Sequence, residues 1–185
     1  MLAGGKSTRF GSNKSIAMID GLPMARIVAN NLYDATKVLP QLIGADDVVA
    51  RQLGLESLCG QREGTGPLGA IIDALQLSKS EIVLFAPNDT PNFSSDSFVA
   101  ILSTLDTTKS DVAVAKDDLD GANFHWLLSA WRSSSCLQHL SEQYSNGIRS
   151  IYGAVVGLNI TTLACKSESL RNINYSADMI TGDTI

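Results

Sequence analysis

Short apolar runs recur along the chain, and between them apolar residues return every three or four positions. The runs are VLPQLIG at 38–44, EIVLFA at 81–86, DVAVA at 111–115 and FHWLLSAW at 124–131, each the length of a buried strand. The intervening pattern predicts helices. LPMARIVANNL (22–32) puts Leu22, Ile27, Val28 and Leu32 on one stripe, and PLGAIIDALQL (67–77) opens on a proline suited to a first helical turn. SSDSFVAILSTL (94–105) offers Ser94 or Ser95 as cap, with Phe98, Ile101, Leu102 and Leu105 facing inward, and SSSCLQHLSEQY (133–144) makes a fourth helix.

Strands alternating with helices predict a Rossmann-like, doubly wound α/β fold, a mostly parallel sheet with helices on both faces. At 185 residues the chain is sized for one domain, 1–185, which would bury roughly 70% of its unfolded surface. Ligands of such sheets bind outside the carboxyl ends of the strands. Two unusual stretches follow strands in this way: GGKSTRFG after the first, and PNDTPN after EIVLFA. Only a very short first strand fits before Gly5, which hints at further chain upstream.

Charge narrows the partners. A formal net charge of −5 argues against general binding to a nucleic acid backbone, which needs a wide basic face. The longest apolar runs are far too short to span a bilayer, and no charged-then-apolar leader precedes the glycines, so a soluble, cytoplasmic protein with no membrane partner is expected. Cys59, Cys136 and Cys165 are widely spaced, with no CxxC pair; they read as core thiols.

A phosphate ligand would then have to be met by a local cationic cluster, and LAGGKSTRFGSNK (2–14) provides one. A Walker loop built on Gly5-Lys6-Ser7 would need its first glycine before Met1, and G-x-G-x-x-G is absent because Gly4 and Gly5 are adjacent. What remains is a turn whose glycines present N–H groups to phosphate oxygens while Arg9 and Lys14 bring charge that could stabilise a departing pyrophosphate. On spacing alone, a solvated glycine-rich turn explains the stretch equally well.

Asp89 ends a buried apolar run between Pro87 and Pro91, which limit backbone freedom around it. A carboxylate so held suits Mg²⁺, which takes one or two protein carboxylates and fills its other sites with phosphates and water. Taken alone, Asp89 reads more readily as a turn-capping residue; together with the basic loop at the same sheet end, the metal role gains. Nucleotidyl transfer to an ionised phosphate needs positioning and charge stabilisation rather than a general base. That suits a chain whose two histidines, His125 and His139, lie away from both loops, His125 expected as structural and His139 as a surface residue.

These residues resemble a family. Leu2-Ala3-Gly4-Gly5, Arg9-Phe10-Gly11 and Lys14 are similar to the LAGGxSxRMGxxK signature of sugar-phosphate-type nucleotidyltransferases, with Phe10 replacing methionine. Gly66-Pro67-Leu68-Gly69 and Phe85–Pro91 resemble the GPLAG and CDTP segments of the molybdenum cofactor guanylyltransferases, the MobA-type branch. Gly147-Ile148-Arg149-Ser150 resembles its G-x-R-S/R segment and Asn172-Ile173-Asn174 its NVN turn. The resemblance implies a nucleotide-diphospho-sugar transferase-like fold and Mg²⁺-dependent transfer of GMP from GTP to the terminal phosphate of molybdopterin, releasing pyrophosphate. It implies Arg9, Lys14 and Asp89 as catalytic residues, with Asp89 as metal ligand. Leu2, Ala3, Gly4, Gly5, Lys14, Gly44, Gly66, Pro67 and Asp89 would bind the nucleotide, and Arg149, Asn172 and Asn174 the acceptor. Transient contact with other cofactor-biosynthesis or acceptor proteins also follows.

The chain departs from that pattern where the base is read. Leu42-Ile43-Gly44-Ala45 lacks the branch's asparagine, and Leu58 to Glu63 offers only Glu63 where the branch carries an aspartate before GPLAG. Tyr175-Ser176 replaces Thr-Pro near the carboxyl end. Base selectivity depends on a few hydrogen bonds, so a cytidylyltransferase or another nucleotidyltransferase of the same fold stays open, as does a non-catalytic nucleotide-binding protein. Asn172 reads equally as a turn-stabilising side chain, and Arg149 as a solvated arginine.

Overall fold

The computed structural model describes residues 1–3, 16–62, 64–120 and 123–173. A two-residue hairpin comes first, β1 (Met18–Ile19) and β2 (Leu22–Pro23), turning at Asp20 and Gly21, both at positive φ. Helix α1 (Met24–Thr36), strand β3 (Leu42–Ile43), helix α2 (Asp47–Gln52) and strand β4 (Ser57–Leu58) follow. Then come α3 (Pro67–Leu77), β5 (Ile82–Phe85), α4 (Ser95–Thr108), β6 (Val112–Asp117), β7 (Phe124–Arg132), α5 (Ser133–Ser145), α6 (Ile151–Ala154) and β8 (Ile160–Cys165).

Four strands form a sheet in the order β5-β7-β6-β8, and β3 pairs with β4 in parallel. Residues 1–3 join the two. Leu2 makes parallel bridges to Ile43 on one side and to Pro87, just past β5, on the other. Leu2 N donates to Ala86 O at 2.8 Å, Ala3 N to Ile43 O at 3.0 Å, and Asn88 N to Leu2 O at 3.0 Å. The order is therefore β4, β3, residues 1–3, β5, β7, β6, β8, with β7 alone running against the rest. The reversal of β7 lets it follow β6 directly and puts α5 on the way back up the sheet.

Helices cover both faces, as the alternation predicts. Ala25, Val28, Ala29 and Leu32 of α1 pack with Phe98, Ile101 and Leu105 of α4 on one face. Leu68, Ile71, Ile72 and Leu75 of α3 pack with Cys136 and Leu140 of α5 on the other. Trp131 is fully buried, its Nε1 donating to Ser129 Oγ at 2.6 Å, while Ser129 Oγ donates to Trp126 O at 2.6 Å. That pair closes a bulge: the register with β6 jumps from Val114↔Ser129 to Ala115↔His125, leaving Trp126, Leu127 and Leu128 unmatched.

Several expectations are corrected. Only Leu42 and Ile43 of the 38–44 run form a strand; Val38 and Leu39 are exposed on the connection from α1, ahead of Pro40. Leu22 belongs to the hairpin and is exposed, so the buried stripe of α1 begins at Met24 and Ala25 and leaves Ile27 half-buried. Ser94, not Ser95, caps α4, accepting from Ser97 N, and Leu102 is only partly buried. Cys59 is exposed and only Cys136 and Cys165 are buried. His139 is half-buried: its Nε2 donates to Ala154 O at 3.0 Å and ties α5 to α6.

Candidate active site

The parallel strands β4, β3, residues 1–3 and β5 all end at one edge of the sheet, and each candidate loop begins there. Gly44 follows β3, the segment up to Gly66 follows β4, and Asp89 lies past β5 beside Leu2. Leu2 is buried and Ala3 half-buried, so the backbone that leads into the glycine loop is locked between Ile43 and Ala86.

Asp89 stands in a turn pinned from several sides. Asn31 of α1 donates from Nδ2 to Pro91 O at 3.3 Å and to Phe93 O at 3.0 Å. Thr90 is fully buried, and Phe93 N donates to Thr90 O at 3.2 Å. The Phe93 ring meets Phe98 edge-on, centroids 4.8 Å apart, anchoring the turn in the core. Ile173 N donates to Asp89 O at 2.9 Å, which brings Asn172 beside the aspartate. Oδ1 of Asp89 is shielded from solvent. Among the described residues no three His, Cys, Asp or Glu side chains gather into a metal cage. Asp89 is the carboxylate of this turn that could hold a cation, with phosphates and water as its other ligands.

Helix α3 opens at the same edge. Gly66 takes φ 90°, which strains any residue with a side chain, and Pro67 is the first helical residue. Among the described residues no side chain caps this helix start.

Arg149 lies between α5 and α6 and is exposed. Its Nη1 donates to Tyr144 O at 2.6 Å and to Ile148 O at 3.0 Å, and its guanidinium stands 3.9 Å from the Tyr144 ring centroid. It thus caps the carboxyl end of α5. Arg62 approaches the same ring at 5.7 Å. His125 is half-buried on β7, and burial lowers its pKa below the usual imidazole value against an opposing pull from Asp117. Gly4, Gly5, Arg9, Lys14, Asn174 and Glu63 lie outside the described residues.

The structure thus brings Leu2, Ala3, Gly44, Gly66, Pro67, Asp89 and Asn172 to one end of the sheet. Sequence reasoning missed Arg62, Asp73 and Tyr144, which hold this rim together; the available signal was Asp73, the one charged residue of PLGAIIDALQL.

A mixed sheet of this order with helices on both faces is a Rossmann-like α/β fold. The chain is similar in fold to molybdopterin-guanine dinucleotide biosynthesis protein A from Archaeoglobus fulgidus, with a TM-score of 0.76 at 20% identity over 96% of this chain and 92% of that one. It is similar likewise to a CMP:2-keto-3-deoxy-manno-octonic acid synthetase complexed with CTP, with a TM-score of 0.73 at 14% identity over 96% of this chain and 91% of that one. Residues 1–158 match the MobA-like NTP transferase domain, and the chain belongs to that family. Molybdenum cofactor guanylyltransferase from Burkholderia vietnamiensis is 29% identical over 62% of this chain, and the matched stretch spans 59% of that protein's length. The enzyme of that name from Mannheimia succiniciproducens is 24% identical over 97% of this chain and 94% of its own. Among the described residues no helix is long and apolar enough to cross a membrane.

Proposed function

We propose that the protein is a cytoplasmic, Mg²⁺-dependent nucleotidyltransferase that moves GMP from GTP to the terminal phosphate of molybdopterin and releases pyrophosphate. The observation that carries this reading is the meeting of Asp89 with Leu2 and Ile173 at the strand ends: Asn88 N bonds Leu2 O and Ile173 N bonds Asp89 O. A carboxylate is thereby set beside the start of a basic glycine loop and beside Asn172. The family match and the guanylyltransferases among its relatives support it.

In this mechanism Arg9 and Lys14 hold the β and γ phosphates and offset the charge gathering on pyrophosphate, while the α3 amino terminus at Gly66-Pro67 and Gly44 border the nucleotide. Asp89 would hold the metal. Mg²⁺, when bound, supplies charge neutralisation between donor and acceptor phosphates. Arg149, Asn172 and Asn174 meet the acceptor. The attacking group is already an ionised phosphate, so the half-buried His125, its pKa lowered by burial, needs no part in proton transfer.

The test is pyrophosphate release with Mg²⁺ and each of the four nucleoside triphosphates, with and without molybdopterin. Release that selects GTP and requires molybdopterin is expected. Selection of CTP would make the protein a cytidylyltransferase of the same fold, and triphosphate binding without release a non-catalytic binder.

A further inference from the structure

Asp73 is buried on α3, 3% exposed, and nucleotidyl transfer as outlined gives it no task. Both its oxygens go to one partner. Oδ2 accepts from the Arg62 backbone N–H at 2.7 Å and Oδ1 from Arg62 Nη1 at 2.5 Å. Arg62 O in turn accepts from Thr65 Oγ1 at 2.5 Å and from Thr65 N at 3.2 Å. Two glycines make the fit possible. A Cβ on Gly60 would overlap Asp73 Oδ2, and one on Gly69 would overlap Thr65 Oγ1. These residues form one packed unit that lays the segment after β4 onto the opening turns of α3.

Two glycines of that segment stand in left-handed backbone. Gly64 and Gly66 sit at φ 76° and 90°, conformations that glycine enters and leaves freely. The segment borders the candidate nucleotide site. Backbone N–H and C=O groups can discriminate bases only if their positions are fixed, because a misplaced donor loses its hydrogen bond. A buried carboxylate that accepts from both the guanidinium and the backbone N–H of one residue gives that fixity. Asp73 itself is withdrawn from a base by its burial beneath Arg62.

We propose that Asp73 is a positioning residue for nucleobase selection: through Arg62 it fixes Gly60–Arg62 and Gly64–Gly66, so that the base is read by backbone groups of this segment. The proposal rests on the nucleotidyl-transfer function above. Its test compares Asp73→Asn with the wild type in binding ATP, GTP, CTP and UTP with Mg²⁺, by displacement of a fluorescent nucleotide, with inorganic triphosphate as a probe that has no base. The preferred nucleotide should bind tenfold or more weakly in the variant, the others threefold or less, and inorganic triphosphate within twofold of wild type. If the preference ratio is unchanged, or inorganic triphosphate weakens as much as the nucleotide, the proposal is overturned. Should Asp73→Asn not fold, Arg62→Lys carries the same comparison with the same outcomes. Absence of any triphosphate binding by the wild type overturns the nucleotidyl-transfer function first, and the proposal with it.

Discussion

The turn after β5 and the segment after β4 border the same site but are held differently. Pro87–Pro91 is stitched by main-chain hydrogen bonds, from Asn88 to Leu2 on one flank and from Ile173 to Asp89 on the other, with Asn31 and the Phe93–Phe98 contact beneath. The segment after β4 depends on side chains, chiefly the Arg62–Asp73 pair. Losing one bond in the first arrangement leaves several others. Losing one residue in the second frees the whole segment and strands a buried charge. The turn that carries Asp89 is thus held by several main-chain bonds, whereas the segment between β4 and α3 is held chiefly by one ion pair.

The largest expected effect lies in the turn after β5 and is chemical, not structural. Asp89→Asn should reduce pyrophosphate release by about 10³-fold or more, the scale of removing a major charge-stabilising group. Its melting temperature should stay near that of the wild type because the turn's main-chain bonds persist. Normal turnover in this variant would end the metal assignment. In the segment after β4 the order reverses, with stability affected first. Arg62→Ala takes the guanidinium from the buried Asp73 carboxylate and leaves it the backbone N–H bond at Oδ2, which costs up to about 3 kcal/mol, less whatever water recovers at an arginine that is 24% exposed. Urea unfolding measures it, and a loss below about 1 kcal/mol would show that the pair is not what holds the segment.

The same contrast explains what could be read from the sequence. Strands β5, β6 and β7 and helices α3, α4 and α5 announce themselves by long apolar periodicity, with Pro67 and Ser94 marking helix starts. Asp89 is legible because it ends an apolar run between two prolines. Strand β8 is not, since ITTLAC is an edge strand with only Cys165 buried. In VLPQLIG, apolar residues on an exposed connection extend to seven residues a run in which only Leu42 and Ile43 form a strand. The Asp20-Gly21 hairpin goes unread, because a helical stripe drawn from Leu22 passes over its Asp-Gly turn. The Arg62–Asp73 pair joins a loop to the second turn of a helix, and no periodicity connects them; only the lone charge within α3 pointed to it.

A smaller effect tests whether the turn after β5 is over-determined. Asn31→Ala removes two hydrogen bonds to Pro91 O and Phe93 O, worth about 1–2 kcal/mol together. Stability should fall by that amount while pyrophosphate release stays within a few-fold, because the bonds to Leu2 and Ile173 still place Asp89. A loss of turnover approaching that of Asp89→Asn would mean that α1, rather than the sheet, positions the carboxylate.

The smallest effect reads the two regions separately in one molecule. Cys59 is exposed at the start of the segment after β4, whereas Cys136 and Cys165 are buried, and burial pushes the Cys136 thiol up to about 12 and raises that of Cys165. Only thiolate reacts, so an aromatic disulfide reagent at pH 8 should modify one thiol quickly in the native protein and the other two only on unfolding. Loosening the segment with Asp73→Asn should speed Cys59 labelling severalfold, and Asn31→Ala should leave that rate unchanged. An equal rise in both variants would show that the two loops move as one body, and the separation between a sheet-held turn and a clamp-held segment would fall.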